Sequence, residues 1–393
     1  MTTLRTSLRR SLGFWAPLCL LGMTALAACD STKYEQSTLN PQGDFARMVD
    51  HLFMTTVWWA LLVFVLVEGA LVFAILKYRG KPDDPEPQQI HGNTTVEIIW
   101  TVIPALILAM IAVPTVRTIF RTYELPTGRD VVTIEVIGHQ WWWEFRYPQY
   151  GVTTAGEMHV PVGHPVALKM TTEDVLHSFW VPQFAAKRDV FPNRSNVLWF
   201  KAEVAGNFSG QCAEFCGIQH GRMGFRVLAQ DSAGFQGFIA RLKATGAPKA
   251  VAAAPAATPA ASGTALTVSS TNATLAPQQP APKPRGSHSR GAAAPAAPPV
   301  DPLVHAGDSL FHTRYPCAGC HSLDATKRLG IGPNLANVGS RSYIAGAMLK
   351  NTDENLAAWI QHPQRLQPGV LMMEMGVTDA DAKALVAYLR TYR

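Results

Sequence analysis

The chain has 393 residues, a formal net charge of +6, 48% hydrophobic residues and only 16% charged residues. Soluble domains average about 25% charged residues, so this deficit, with a mean hydropathy of +0.06, argues against a fully soluble protein. The balance is mildly basic and contains no dense Lys/Arg run, which argues against a nucleic-acid partner, and the length allows two or three domains.

Residues 1–29 read as an export signal, with Arg5, Arg9 and Arg10 ahead of an apolar core from Leu12 to Leu26. The closing Leu26-Ala27-Ala28-Cys29 is similar to a bacterial lipoprotein processing site. That reading makes Cys29 the lipid-bearing first residue of the mature chain; the alternative is an ordinary signal in which Cys29 is incidental. Residues 30–52 then form an exported segment, and residues 53–121 a transmembrane hairpin with spans over 53–76 and 98–116. Each run is long enough at ~1.5 Å per residue to cross most or all of ~30 Å of hydrocarbon. Glu68 falls mid-span, and a lone carboxylate there faces protein rather than lipid, which implies a partner subunit. With an exported N-terminus, two crossings return the chain to the outer face.

Residues 122–244 carry short β-like runs between Gly and Pro turns, among them Val131–Ile137, Pro165–Met170 and Asn196–Phe200. This predicts an all-β sandwich or barrel. Residues 245–299 are rich in Ala, Pro, Thr and Ser and nearly free of aromatics. Their composition predicts a disordered linker with a root-mean-square reach of ~40 Å. Helical patterning returns over 300–393, where Thr378, Asp379 and Asp381 precede Ala384, Leu385, Tyr388 and Leu389 as a capped amphipathic helix.

Cys317-Ala318-Gly319-Cys320-His321 is a C-x-x-C-H motif, the signature of c-type haem attachment. Two thiols add to the haem vinyl groups and the adjacent imidazole binds the iron; a Cys317–Cys320 redox pair is the rival reading. The stretch Pro368-Gly369 followed by Met372, Met373 and Met375 resembles the P-G-x-x-M-P turn of small monohaem cytochromes c, which selects Met372 as the second axial ligand. The Pro after that ligand is replaced by Met373. Gly332-Pro333-Asn334-Leu335 resembles the same family's loop, whose Pro carbonyl orients the ligating His.

A second cluster, Cys212-x-x-x-Cys216-x-x-x-His220-x-x-Met223, gathers two thiols, an imidazole and a thioether. Soft sulfur ligands suit copper, whereas zinc rarely takes Met; a Cys2His2 zinc site and a Cys212–Cys216 disulfide remain alternatives at this level. A further imidazole is needed, and His177 supplies the candidate.

Four segments carry a family resemblance: Asn93–Thr101 at the second span, Gly138-His139-Gln140-Trp141-Trp142-Trp143, Val175-Leu176-His177-Ser178, and Cys212-Ala213-Glu214-Phe215-Cys216. Over about residues 45–240 the chain resembles subunit II of haem–copper cytochrome c oxidases. With the cytochrome-like tail, nearly the whole mature chain resembles the caa-type fusion. The resemblance implies a multidomain membrane protein: a two-helix transmembrane hairpin, an all-β cupredoxin-like domain, and an all-α class I cytochrome c domain behind the linker.

It further implies a dinuclear copper centre, CuA. Cys212 and Cys216 would bridge the coppers, His177 and His220 would bind one each, and Met223 and the backbone carbonyl of Glu214 would be weak axial ligands. The Glu214 side chain would reach a Mg ion at the subunit I interface. Trp141 aligns with the tryptophan through which electrons enter, with core packing as its ordinary role. Glu97 aligns with the carboxylate at the entrance of a proton pathway into subunit I. Asp174 and Asp189 read as solvated or docking-face acids.

The function implied is that of subunit II of a proton-pumping cytochrome c oxidase. Electrons would come from a cytochrome c or a quinol–cytochrome c reductase to the fused haem c, then to CuA and to subunit I, where oxygen becomes water. Subunits I and III and membrane lipid are the implied partners. The location is the bacterial inner (plasma) membrane, with the CuA and haem c domains on the periplasmic face. A membrane-anchored copper/haem electron shuttle with no catalytic partner is the alternative.

Overall fold

A computed structural model of the chain describes residues 34–80, 84–86, 88–89, 91–246, 301–327 and 331–393. The export signal with Cys29, and all of the linker beyond Gly246, lie outside the described residues. Two long apolar helices come first: α1 (Asp44–Lys77, 34 residues) and α2 (Thr94–Tyr123, 30 residues). Both exceed the ~20 residues needed to cross a bilayer, and neither buries any part of its most apolar stretch within the chain. Apolar surface on that scale is covered by lipid or by protein.

α1 starts ahead of the apolar run because its first turn is fastened to the β domain. Asp44 Oδ1 accepts from Lys201 N at 2.8 Å, Ala46 N donates to Phe184 O at 3.0 Å, and Phe45 is buried in the β-domain core. The hairpin is thereby anchored to the β domain by a continuous helix. α2 is N-capped by Asn93, whose side chain accepts from Val96 N at 3.2 Å.

Ten strands form a two-sheet, cupredoxin-like sandwich. One sheet contains β1 (Val132–His139), β2 (Trp142–Tyr147), β3 (Val152–Ala155), β5 (Pro165–Thr172) and β8 (Asn196–Lys201), in the order β3-β2-β1-β5-β8. The other contains β4 (Glu157–Pro161), β6 (His177–Trp180), β7 (Arg188–Val190), β9 (Gly206–Cys212) and β10 (Gly224–Gln230), in the order β4-β10-β9-β6-β7. The inner faces meet through Trp143, Phe145, Phe179 and Phe225, whose rings pack edge-on, tilted or stacked at centroid separations of 4.6–5.7 Å. Helix α3 (Ser232–Thr245) closes one end with Phe235, Phe238, Ile239 and Leu242.

The C-terminal domain is helical: α4 (Pro302–Ser309), α5 (Cys317–Cys320), α6 (Asp353–Gln361), α7 (Pro363–Leu366) and α8 (Asp379–Leu389), with a two-residue hairpin of β11 (Tyr343–Ile344) and β12 (Leu349–Lys350). Thr378 caps α8 by accepting from Asp381 N at 3.2 Å, as the sequence predicts. The described residues up to Gly246 and those from Pro302 belong to one compact unit. The helical domain sits against β3 and β4, the edge strands of the two sheets: Thr153 N donates to Ala325 O at 2.8 Å and Ser342 N to Glu157 Oε1 at 2.6 Å. Edge strands expose unpaired backbone groups; the helical domain takes up the Thr153 N–H of β3 and the Glu157 side chain of β4.

α4 and α8 cross at Gly307, where an added Cβ would lie 2.0 Å from Ala384 O. The backbones can approach this closely only without a side chain. We expect Gly307→Ala to destabilise the helical domain by about 1–3 kcal/mol, read as a lower thermal midpoint of its helical signal in the full chain; an unchanged midpoint would show that the crossing relaxes freely.

Candidate metal and haem centres

The first site is built at one end of the sandwich. β9 and β10 pair as a hairpin (Gln211 opposite Gly224), and Cys212 N donates to Met223 O at 3.0 Å, closing the ten residues between into a loop. Cys212, Cys216, His220 and Met223 all belong to that loop or its ends. His177 arrives from β6, which pairs with β9 so that Phe179 faces Cys212. β1 passes behind it at Gly138, where a Cβ would fall 2.8 Å from His177 Cδ2; glycine makes the space that the imidazole occupies.

The donor atoms converge. The two Sγ atoms are 3.8 Å apart, Cys212 Sγ is 3.8 Å from His177 Nδ1, and Cys216 Sγ is 3.7 Å from both His220 Nδ1 and Met223 Sδ. Glu214 O lies 3.3 Å from Cys212 Sγ. A disulfide needs sulfurs about 2.05 Å apart, and both cysteines are free. Two metal–sulfur bonds of ~2.3 Å meeting near the tetrahedral angle span ~3.8 Å, so the donor set fits sulfurs that share a metal. Each thiol shapes the other's acidity: the neighbouring Cys216 holds Cys212 down at about 3, and Cys212 pushes Cys216 up.

Asp174 orients the buried His177. Its Oδ1 lies 2.8 Å from His177 Nε2, which leaves Nδ1 turned to the sulfurs. Burial alone would raise the Asp174 carboxyl, but the His177 bond and the N–H groups of Gln140 and Val175 hold it at about 2. This residue is thus a support for the imidazole rather than a freely solvated acid, and the Asp-x-x-His spacing is the sequence signal for it.

The second site is a cavity in the helical domain. Cys317 and His321 form one side and Met372 and Met375 line it as well, among apolar residues such as Leu335 and Trp359. Met373 is 63% exposed and does not line it. His321 Nδ1 donates to Pro333 O at 2.8 Å, leaving Nε2 as the free nitrogen. Gly332 packs on that ring, where a Cβ would lie 2.9 Å from Cε1. Burial pushes the imidazole's pKa down, which favours the neutral, metal-binding form. An apolar cavity lined by the free thiol of Cys317, a neutral imidazole and two thioethers, with the free Cys320 next to His321 in the chain, fits a covalently held haem.

Between the sites lies Trp141. Its Nε1 donates to Cys216 O at 2.9 Å, and Gln140 Nε2 donates to the same carbonyl at 2.8 Å. On its other side Trp141 lines a cleft shared with Pro333, Trp359 and Met372, residues that also line the haem cavity. Glu97 sits in the first turn of α2, away from both sites.

Three stretches match known families: residues 39–118 the cytochrome c oxidase subunit II transmembrane domain, residues 152–229 the cytochrome c oxidase subunit II periplasmic domain, and residues 304–393 cytochrome c. The chain is 33% identical over 365 residues to cytochrome c oxidase subunit 2 of Alkalihalophilus pseudofirmus, covering 91% of each chain. The chain belongs to the cytochrome c oxidase subunit 2 family. Cytochrome c oxidase subunit 2 of Bacillus sp. PS3 is 29% identical, with 96% of this chain and 98% of that one aligned. Quinol oxidase subunit 2 of Bacillus cereus is 30% identical over 60% of this chain. The expected fusion of subunit II with a C-terminal cytochrome c domain is therefore what the chain is, anchored by two apolar helices.

In this subunit II chain the aromatic motif rests on a buried charge cluster that the sequence did not reveal. His139 stacks on Trp142 at 4.0 Å and its Nε2 is 3.0 Å from Glu144 Oε2, while Arg146 Nε donates to Glu144 Oε1 at 2.6 Å. Burial would raise the Glu144 carboxyl, but the bonds from His139 and Arg146 outweigh it and hold the group at about 2 against an ordinary 4.5. A depressed carboxyl contributes stability that is complete above its unfolded value and is lost as pH falls through its folded one. We expect on the order of 3 kcal/mol from this group to vanish between pH 4.5 and 2. Denaturant titrations across that window should show a shallower pH slope for Glu144→Gln.

Proposed function

We propose that this chain serves as the electron-accepting subunit II of a proton-pumping cytochrome c oxidase in a bacterial inner membrane, with both outer domains on the periplasmic face. Cys317, Cys320, His321 and Met372 would hold a haem c, and His177, Cys212, Cys216, His220, Met223 and the Glu214 carbonyl a dinuclear copper centre. When bound, both groups supply one-electron carriers that need no open coordination position. The buried thioether of Met223 favours copper over zinc in the second set.

The observation that carries this reading is the position of Trp141, hydrogen-bonded to Cys216 O and facing residues of the haem cavity across one cleft. The indole offers a short, rigid path between the two ligand sets. Gln140 holds the same carbonyl, and Asp174 holds both Gln140 N, at 2.6 Å, and His177. Motion of the ligand loop is thereby restrained, which keeps reorganisation small.

Subunit I, which would contain the oxygen-reducing site, and subunit III are the proposed partners; the bare faces of α1 and α2 suit contact with such membrane-embedded chains. Glu68, mid-helix in α1, would face protein there. Glu97 would stand at the entrance of a proton pathway, and the Glu214 side chain would meet Mg at the subunit I interface. Cytochrome c or a quinol–cytochrome c reductase is the proposed donor.

Two measurements test the reading. In the purified oxidase, Cys216→Ser is expected to abolish the near-infrared absorption of the copper centre and to leave the haem c α-band intact; a retained near-infrared band would refute the bridging role. Truncation before residue 300 is expected to slow oxidation of the native donor while two coppers per chain remain by metal analysis, and undiminished turnover would show that the cytochrome domain is dispensable.

A further inference from the structure

Two ionisable residues from different domains are buried at the seam between them. Glu157, on edge strand β4 of the copper domain, is 1% exposed, and Arg341, from the cytochrome domain, 9%. Arg341 lines both the haem cavity and the cleft that holds Trp141. Among the described residues its guanidinium bonds only uncharged partners of its own domain: Asn337 Oδ1, from Nη2 at 2.8 Å and Nε at 3.1 Å, and the backbone carbonyl of Asn334. A buried cation is costly in proportion to its distance from opposite charge. Glu157 supplies the opposite charge from across the seam. Its Oε1 accepts from Ser342 N, the residue next to Arg341, at 2.6 Å. The carboxylate also acts on Arg341 itself: burial lowers the guanidinium to about 10, and Glu157 pulls it back upward. Thr154, buried on edge strand β3, donates to the same Asn337 Oδ1 at 3.0 Å. The Arg341 loop is therefore gripped by both sheets of the copper domain.

We propose that Glu157 is a positioning residue for electron transfer that tunes the cytochrome domain's haem across the domain boundary, lowering the haem's reduction potential when the domain is seated. Loss of one electron from the haem iron adds one positive charge to the cavity, and the electron is taken up by the copper centre of the same chain. No bond forms or breaks and no proton moves. A fixed carboxylate at the seam favours the oxidised, more positive state, so a seated domain gives up its electron more readily. An unseated domain, without that carboxylate, is the better acceptor from an outside donor. By linkage the oxidised domain also seats more tightly than the reduced one. The inference rests on the haem assignment made above.

The test is spectroelectrochemical titration of haem c in the intact oxidase. Glu157→Gln keeps an oxygen that accepts from Ser342 N and removes the charge. At the parent's midpoint potential the ratio of reduced to oxidised haem should rise about threefold. Thr154→Val, which weakens the seat without altering charge, should raise that ratio in the parent and have little further effect in the Glu157→Gln background. Glu203→Gln, which removes an acid of the copper domain paired with Arg47, should leave it unchanged. An unshifted midpoint in Glu157→Gln, or equal effects of Thr154→Val in both backgrounds, overturns the proposal while the haem reading stands; absence of a haem c α-band in the parent overturns both.

Discussion

The copper-domain site depends on one closed loop. The bond from Cys212 N to Met223 O ties its ends together, so four donor residues separated along the chain share one small volume at the end of the β9–β10 hairpin. The loop alone would present one imidazole. The sandwich brings the other, because β6 pairs beside β9 and Gly138 of the opposite sheet leaves room for the His177 ring. Fixed strands on three sides therefore preorganise ligands that a free peptide would have to gather at an entropic cost.

Around that loop the hydrogen bonds form a hierarchy. Asp174 fixes the imidazole, Gln140 and Trp141 fix the Cys216 carbonyl, and the Arg146–Glu144–His139 cluster supports the aromatic wall. Each is a buried polar contact whose loss would leave a partner unsatisfied. For the proposed electron-transfer role this rigidity is an advantage, since the ligands would not have to rearrange between oxidation states. In the helical domain Pro333 O plays the corresponding part for His321.

The tertiary arrangement also resolves a problem of sheet edges. β3 would expose backbone groups, and the helical domain meets one of them with the Ala325 carbonyl, while the Ser342 N–H meets the Glu157 side chain on β4. The same seating brings Met372, Pro333 and Trp359 to the cleft beside Trp141. Structural closure and proximity of the two ligand sets thus come from one interface.

Much of this was written in the chain itself. The C-x-x-C-H motif and the Cys212–Met223 spacing point to the proposed chemistry because ligand types at fixed intervals within one loop meet wherever that loop is placed. The two apolar runs and the Thr378 cap are equally local and reappear as α1, α2 and α8. Other features depend on residues far apart in sequence. The apolar pattern starts the first span at Phe53, but the helix begins at Asp44, held by bonds from Asp44 to β8 and from Ala46 to the loop between β6 and β7. Asp174 reads as a surface acid until His177 is seen to need a support. Met372 and Met375 both reach the haem cavity while Met373 turns outward, a distinction of side-chain direction that spacing leaves open. Glu157 and Arg341 carry no signal at all, since they stand 184 positions apart and meet only because the fold closes two sheet edges against a helical domain. Local spacing fixes which atoms can bind; only the packing of distant segments decides which charges share a dry seam.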